Sequence, residues 1–187
     1  MRTFKEYRQE MILERFLNEM PAMMADSLPM LNSKKSEYDT QLASAPNNKE
    51  FDVDSGEVHS YSGKHPEGFQ HVYYHKHNGE IGAVSHIINN VQKFVHKGSS
   101  DKSVIHDIMS HHIGTHGTLS TDRSNSPGSK HLWTSYVKST PKNIHFTHEY
   151  KDVKSKLTPD NIDAQSDKIW GNTREHSEHK IVATRTV

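Results

Sequence analysis

The apolar positions change rhythm three times along the chain. Phe4, Tyr7, Met11, Ile12, Phe16 and Met20 recur near the i, i+3, i+4 spacing. Arg2, Lys5, Glu6, Arg8, Glu10 and Glu14 occupy the other faces. This predicts an amphipathic helix that Pro21 closes or kinks. Met23, Met24, Leu28, Met30 and Leu31 follow, and residues 1–31 read as an N-terminal helical arm. Such a stripe packs on the protein's own core or docks a partner protein, and clustered methionine suits an irregular partner.

Residues 32–68 are polar and punctuated. Ser33-Lys34-Lys35-Ser36, Pro46-Asn47-Asn48 and Asp54-Ser55-Gly56 are turn signals. Phe51–Val53 and Val58–Tyr61 are short strand candidates, so the segment reads as a linker with one hairpin. From 69 to 150 the pattern tightens. His71–Tyr74 is aromatic and β-branched, Asn78-Gly79 is a hairpin turn signal, and Ile81–Ile88 is the partner strand. Val91–His96 alternates as a third strand.

Val104, Ile105, Ile108, Met109 and His112 then fall at helical spacing, with Ser100 or Asp101 as N-cap and Gly114 placed to end the helix. Thr118–Thr121 is a short strand. Pro127 opens a second helix carrying Leu132, Trp133, Tyr136 and Val137 on one face. Ile144–Tyr150 alternates as a further strand. The order β–β–β–α–β–α–β predicts an α/β (α+β) domain over 69–150, with a mixed, mostly antiparallel sheet flanked by helices. Residues 151–187 read as a polar C-terminal extension anchored by Ile162, Ile169 and Trp170, with Ile181–Val187 as a possible terminal strand.

Composition narrows the chemistry. The 187 residues carry 23 Lys+Arg and 23 Asp+Glu, so no general polycation signal for nucleic acid is present. The absence of cysteine removes disulfides, thiolate metal sites and a cysteine nucleophile. No apolar run approaches the ~20 residues that span a bilayer, and Met1–Glu19 lacks the apolar core of a signal peptide. A soluble protein is the expectation.

Two stretches resemble a known family. His116-Gly117-Thr118-Leu119-Ser120-Thr121-Asp122, followed by Ser126-Pro127-Gly128 and Leu132-Trp133, is similar to a block found in acetyltransferase-like (GNAT) proteins encoded by tailed phages. Tyr73–Gly82 resembles the hairpin that opens their sheet. The resemblance implies an acyl-CoA cofactor, acetyl-CoA, lying in a gap between the Val91–His96 and Thr118–Thr121 strands. It implies pyrophosphate binding by Gly98, Ser99 and Ser100 ahead of a helix N-terminus. It also implies N-acyl transfer, with Glu80 or His86 as the group that deprotonates the amine. Trp133 stands where the family carries a tyrosine acid, and Tyr136 lies one turn away. Met1–Glu14 resembles the capsid-targeting peptides of phage internal head proteins, which implies virion partners bound through the N-terminal helix. On these resemblances the protein is expected in the host cytoplasm or packaged in the virion, and the alternative to an enzyme is a non-catalytic virion protein.

Sixteen histidines are the remaining oddity. His106, His111, His112 and His116 lie on or after one helix. His106 and His111 are five apart and do not share a face, and a helix end at Gly114 separates His112 from His116. His75 with His77, and His145 with His148, are the nearest chelating pairs, and no metal site is predicted. His116-Gly117-Thr118 and His145-Phe146-Thr147 also resemble the paired His-x-Thr motifs of 2H phosphoesterases. That reading requires both imidazoles to face one cleft.

Overall fold

The computed structural model describes residues 48–78, 80–97, 103–122, 127–170 and 178–186. The helical arm expected over 1–31 lies outside them. The described chain is α+β and is dominated by one sheet. Its strands are β1 (Lys49–Val53), β2 (Gly56–His65), β3 (Gly68–His77), β4 (Glu80–Ile88), β5 (Val91–Lys97), β6 (Thr118–Thr121), β7 (Ile144–Tyr150), β8 (Val153–Leu157) and β9 (His179–Arg185). The helices are α1 (Val104–His116), α2 (Pro127–Lys138) and α3 (Ile162–Ile169).

The nine strands run in the order β1-β2-β3-β4-β5-β6-β9-β7-β8. Neighbours from β1 to β5 are antiparallel, as are β6 with β9, β9 with β7 and β7 with β8. Only β5 and β6 are parallel. Hairpins join the first five strands. Asn78 at φ 50° takes the left-handed conformation that the predicted turn requires. Asn89 and Asn90, at φ 51° and 62°, turn β4 into β5.

Compositional boundaries at 69 and 150 cut through this sheet. The segment read as a linker supplies β1 and the ten-residue β2. The polar extension supplies β8, α3 and β9, and β9 sits between β6 and β7 rather than at an edge. A low-hydrophobicity segment can hold an interior strand because only one face of this half of the sheet is dry. Ile181 and Ala183 point into the core, while Lys180 and Thr184 on the other face remain exposed.

All three helices pack on one face. Tyr73, Ile87, Leu119 and Ile181 from the sheet meet Ile105, Ile108 and Met109 of α1, Trp133 and Tyr136 of α2, and Ile162 and Ile169 of α3. Burying an aliphatic side chain of this size contributes about 1.5–3 kcal/mol. One helix boundary differs from expectation. Helix α1 runs through Gly114 to His116 and stops at Gly117, whose φ of 86° is left-handed and whose N–H donates to Ile113 O at 2.8 Å.

Candidate functional site

The sheet changes character between β5 and β6. Their pairing is confined to Val91 with Ser120 and Gln92 with Thr121. The Ser120 N–H also donates to Asn90 O at 2.8 Å. Strand β6 ends at Thr121, opposite Gln92, while β5 runs on to Lys97. Buried polar groups brace the end of this pairing. Gln92 Nε2 donates to Ser85 Oγ at 3.4 Å, and Thr121 Oγ1 accepts the Ile181 N–H at 3.0 Å. Lys93 Nζ lies 3.3 Å from Glu67 Oε2 and 3.4 Å from Asp122 Oδ1, tying the β5 side of the division to the end of β6.

From β5 the chain passes through α1 to β6. From β6 it passes through α2 to β7, stepping over β9. Gly98, Ser99 and Ser100 follow β5 directly but lie outside the described residues. The described chain resumes at Ser103, the N-cap of α1.

Behind the division, α1 and α2 share two polar contacts. The Ser110 and Tyr136 hydroxyls are 2.9 Å apart, and His106 Nε2 is 3.1 Å from Ser135 Oγ. Tyr136 is fully buried, with its ring edge-on to Trp133 and Phe146. Burial pushes its phenol up to about 12, so it stays protonated at neutral pH. Trp133 is likewise a core residue.

Extending α1 to His116 places His112 and His116 at i, i+4, with ring centroids 4.4 Å apart. His71 of β3 joins them, 4.2 Å from His116. The most constrained member is His112. Its Nε2 is 3.1 Å from Asn90 Oδ1 and its Nδ1 is 2.9 Å from the Tyr73 hydroxyl. An amide oxygen only accepts, so Nε2 carries the hydrogen and the Tyr73 O–H donates to Nδ1. Burial, then the neighbouring imidazoles, push His112 down to about 3, and burial lowers His71 and His116 in the same direction. Burial also raises the Tyr73 phenol well above its ordinary value. Glu50 reaches this cluster from β1, with its Oε2 3.3 Å from His111 Nε2.

Sequence reasoning missed this group because its members come from β1, β3, the Asn90 turn and α1. Only the i, i+4 spacing of His112 and His116 signalled it, and Gly114 masked that signal. A second pair was missed for the same reason. His148 Nε2 and His179 Nδ1 lie 2.8 Å apart on β7 and β9, and Tyr150 stacks on His179 with centroids 4.0 Å apart. These rings wall a groove of about 560 Å3 that Gln165, Asp167 and Lys168 of α3 also line.

The His-x-Thr motifs are not brought together. Phe146 and Ala183 pair and both face the core, so His145 points to the opposite face of the sheet from α1 and His116. The same alternation separates His145 from His148. Among the described residues no group of three or more His, Asp or Glu side chains is arranged to hold a metal ion. No helix among them is long and apolar enough to cross a membrane. No family model, curated protein or solved structure matches the chain.

Proposed function

We propose that the protein is an acyl-CoA-dependent N-acyltransferase built on a GNAT-like sheet. The observation that carries this reading is the β5–β6 division. One parallel pair, held over two residue pairs, interrupts an otherwise antiparallel sheet, and helix α1 follows β5.

Acetyl-CoA supplies an activated thioester. The tasks left to the chain are to hold the pyrophosphate, to keep the acceptor amine neutral and to keep water out. Backbone N–H groups at Gly98, Ser99 and Ser100, ahead of the positive end of α1, suit the first task. The amine nitrogen forms a bond to the acyl carbon as the carbon–sulfur bond breaks, and the nitrogen gives up one proton. His86 or Glu80 is the candidate acceptor. His86 Nε2 is 2.8 Å from Gln70 Oε1, so Nε2 carries hydrogen. Tyr136 is not assigned the role of acid to the departing thiolate, because its hydroxyl is engaged with Ser110 inside the core.

That engagement, with Trp133 buried beside it, favours a second reading in which a phage virion protein keeps the fold without the reaction. Release of free CoA thiol separates the two. The full chain is incubated with acetyl-CoA and primary amines of three classes: a polyamine, a lysine peptide and an amino sugar. Amine-dependent thiol release is expected for the enzyme. Release no faster than without protein, for every amine, favours the virion protein.

A further inference from the structure

The described sheet is open, with β1 and β8 as its edge strands. Strand β8 carries Lys154 and Lys156, and lysine on an edge discourages a further strand. Strand β1 carries one lysine, whose charge is already engaged. Lys49 Nζ lies 2.6 Å from Asp52 Oδ1 and 2.8 Å from Glu57 Oε1. After the irregularity between Lys49 and Phe51, residues Phe51–Val53 hold a regular register with β2. No strand among the described residues pairs with their outer side. That edge borders a groove of about 510 Å3. Phe51 and Val53, which pack against the core, line it from the strand. Asp107 and His111 line it from α1, and Asp52 and Asp54 also border it. Three lining residues are aspartates, and none of the described ones is lysine or arginine. His111 is held within the wall, its Nε2 3.3 Å from Glu50 Oε2 and its ring centroid 4.6 Å from that of Phe51. The potential in the groove therefore favours cations.

We propose that an extended, basic segment of a partner protein adds to the sheet beside β1, with alternate lysine or arginine side chains in the groove between β1 and α1. A strand edge next to a helix suits this mode of binding. Main-chain hydrogen bonds to Phe51–Val53 hold the segment, and the groove selects its side chains. Every second side chain of a strand falls on the groove side. The aliphatic stems of those side chains lie over Phe51 and Val53, and their charges reach Asp54 and Asp107. The acidic groove selects against an acidic segment, and the strand edge selects against a helical one. This inference does not depend on the acyltransferase reading.

The probe is a fluorescein-labelled peptide of alternating lysine and threonine, titrated into the full chain and read by anisotropy. Saturable binding is expected, and the same peptide with glutamate for lysine should bind at least tenfold more weakly. Asp54→Lys, at an exposed turn, should weaken the lysine peptide at least fivefold, and Asp107→Asn repeats the test if that variant folds poorly. Residues of a strand point their N–H groups alternately to its two edges. Methylating the amide nitrogens of the lysines or of the threonines therefore blocks one edge only. One methylated peptide should bind like the parent and the other at least tenfold more weakly. Loss in both, or in neither, would overturn strand addition. On saturation, amide exchange should slow over Lys49–Val53 and stay unchanged over Val153–Leu157, the other edge. No binding, binding indifferent to both aspartate variants, or protection at β8 instead would overturn the proposal. A chain that sediments as a dimer and leaves the peptide unbound would assign the edge to a second copy and overturn it as well.

Discussion

The Tyr73 hydroxyl donates to His112 Nδ1 at 2.9 Å, fastening the third strand to the last turns of α1. With Asn90 on the other nitrogen, the imidazole links strand, turn and helix beneath the β5–β6 division. Replacing it leaves two buried polar groups without their partner. His112→Ala should therefore lose about 2–4 kcal/mol of stability, combining a cavity with unsatisfied groups. Urea denaturation reads this, and a loss under ~1 kcal/mol would show that the network contributes little.

The same histidine sets a pH dependence. His112 binds its proton at about 3 when folded, against an ordinary 6.5. The unfolded chain takes up the proton first, so stability is fully present above pH 6.5 and is lost as pH falls toward 3. His71, His116 and His148 are shifted the same way. Each protonation contributes a slope of at most ~1.4 kcal/mol per pH unit. Urea midpoints measured from pH 7.5 to 4 should fall, and His112→Gln should flatten the curve. A midpoint independent of pH would contradict the burial of these rings.

Two glycines near the end of α1 should respond in opposite directions. Gly117 holds the left-handed helix end, so Gly117→Ala should cost about 1 kcal/mol. Gly114 is inside the helix, and a methyl group there meets nothing within 4 Å, so Gly114→Ala should gain about 0.5–1 kcal/mol. Thermal melts decide it. A loss from Gly114→Ala would place the helix end where the sequence pattern suggested.

These glycines show what was legible in the chain. Apolar rhythm located α1, and Asn78-Gly79 located the β3–β4 hairpin, because both are local signals. Which of two nearby glycines ends α1 depends on where the helix meets β6, and no local pattern carries that information. Strand β9 was visible as a strand from Ile181 onward, but its place between β6 and β7 rests on pairings of Phe146 and Leu119 with Ala183, far away in sequence. The histidine contacts of Tyr73 and His148 are cross-element for the same reason. Gly98, Ser99 and Ser100, to which the resemblance assigns the pyrophosphate, lie outside the described residues.

Tyr136→Phe separates a structural tyrosine from a reacting one. Losing the contact with Ser110 should cost about 0.5–1.5 kcal/mol. Acyl transfer, measured by thiol release, should stay within a few-fold of the parent. A hundredfold fall in kcat with stability unchanged would make Tyr136 the acid after all.

The central claim is that the β5–β6 division takes an acyl-CoA. Isothermal calorimetry of acetyl-CoA into the full chain tests it without needing the acceptor amine. The account predicts saturable one-to-one binding that CoA competes and that Gly98→Pro weakens at least tenfold, by removing a backbone N–H from the pyrophosphate segment. No heat of binding at millimolar acetyl-CoA would contradict it.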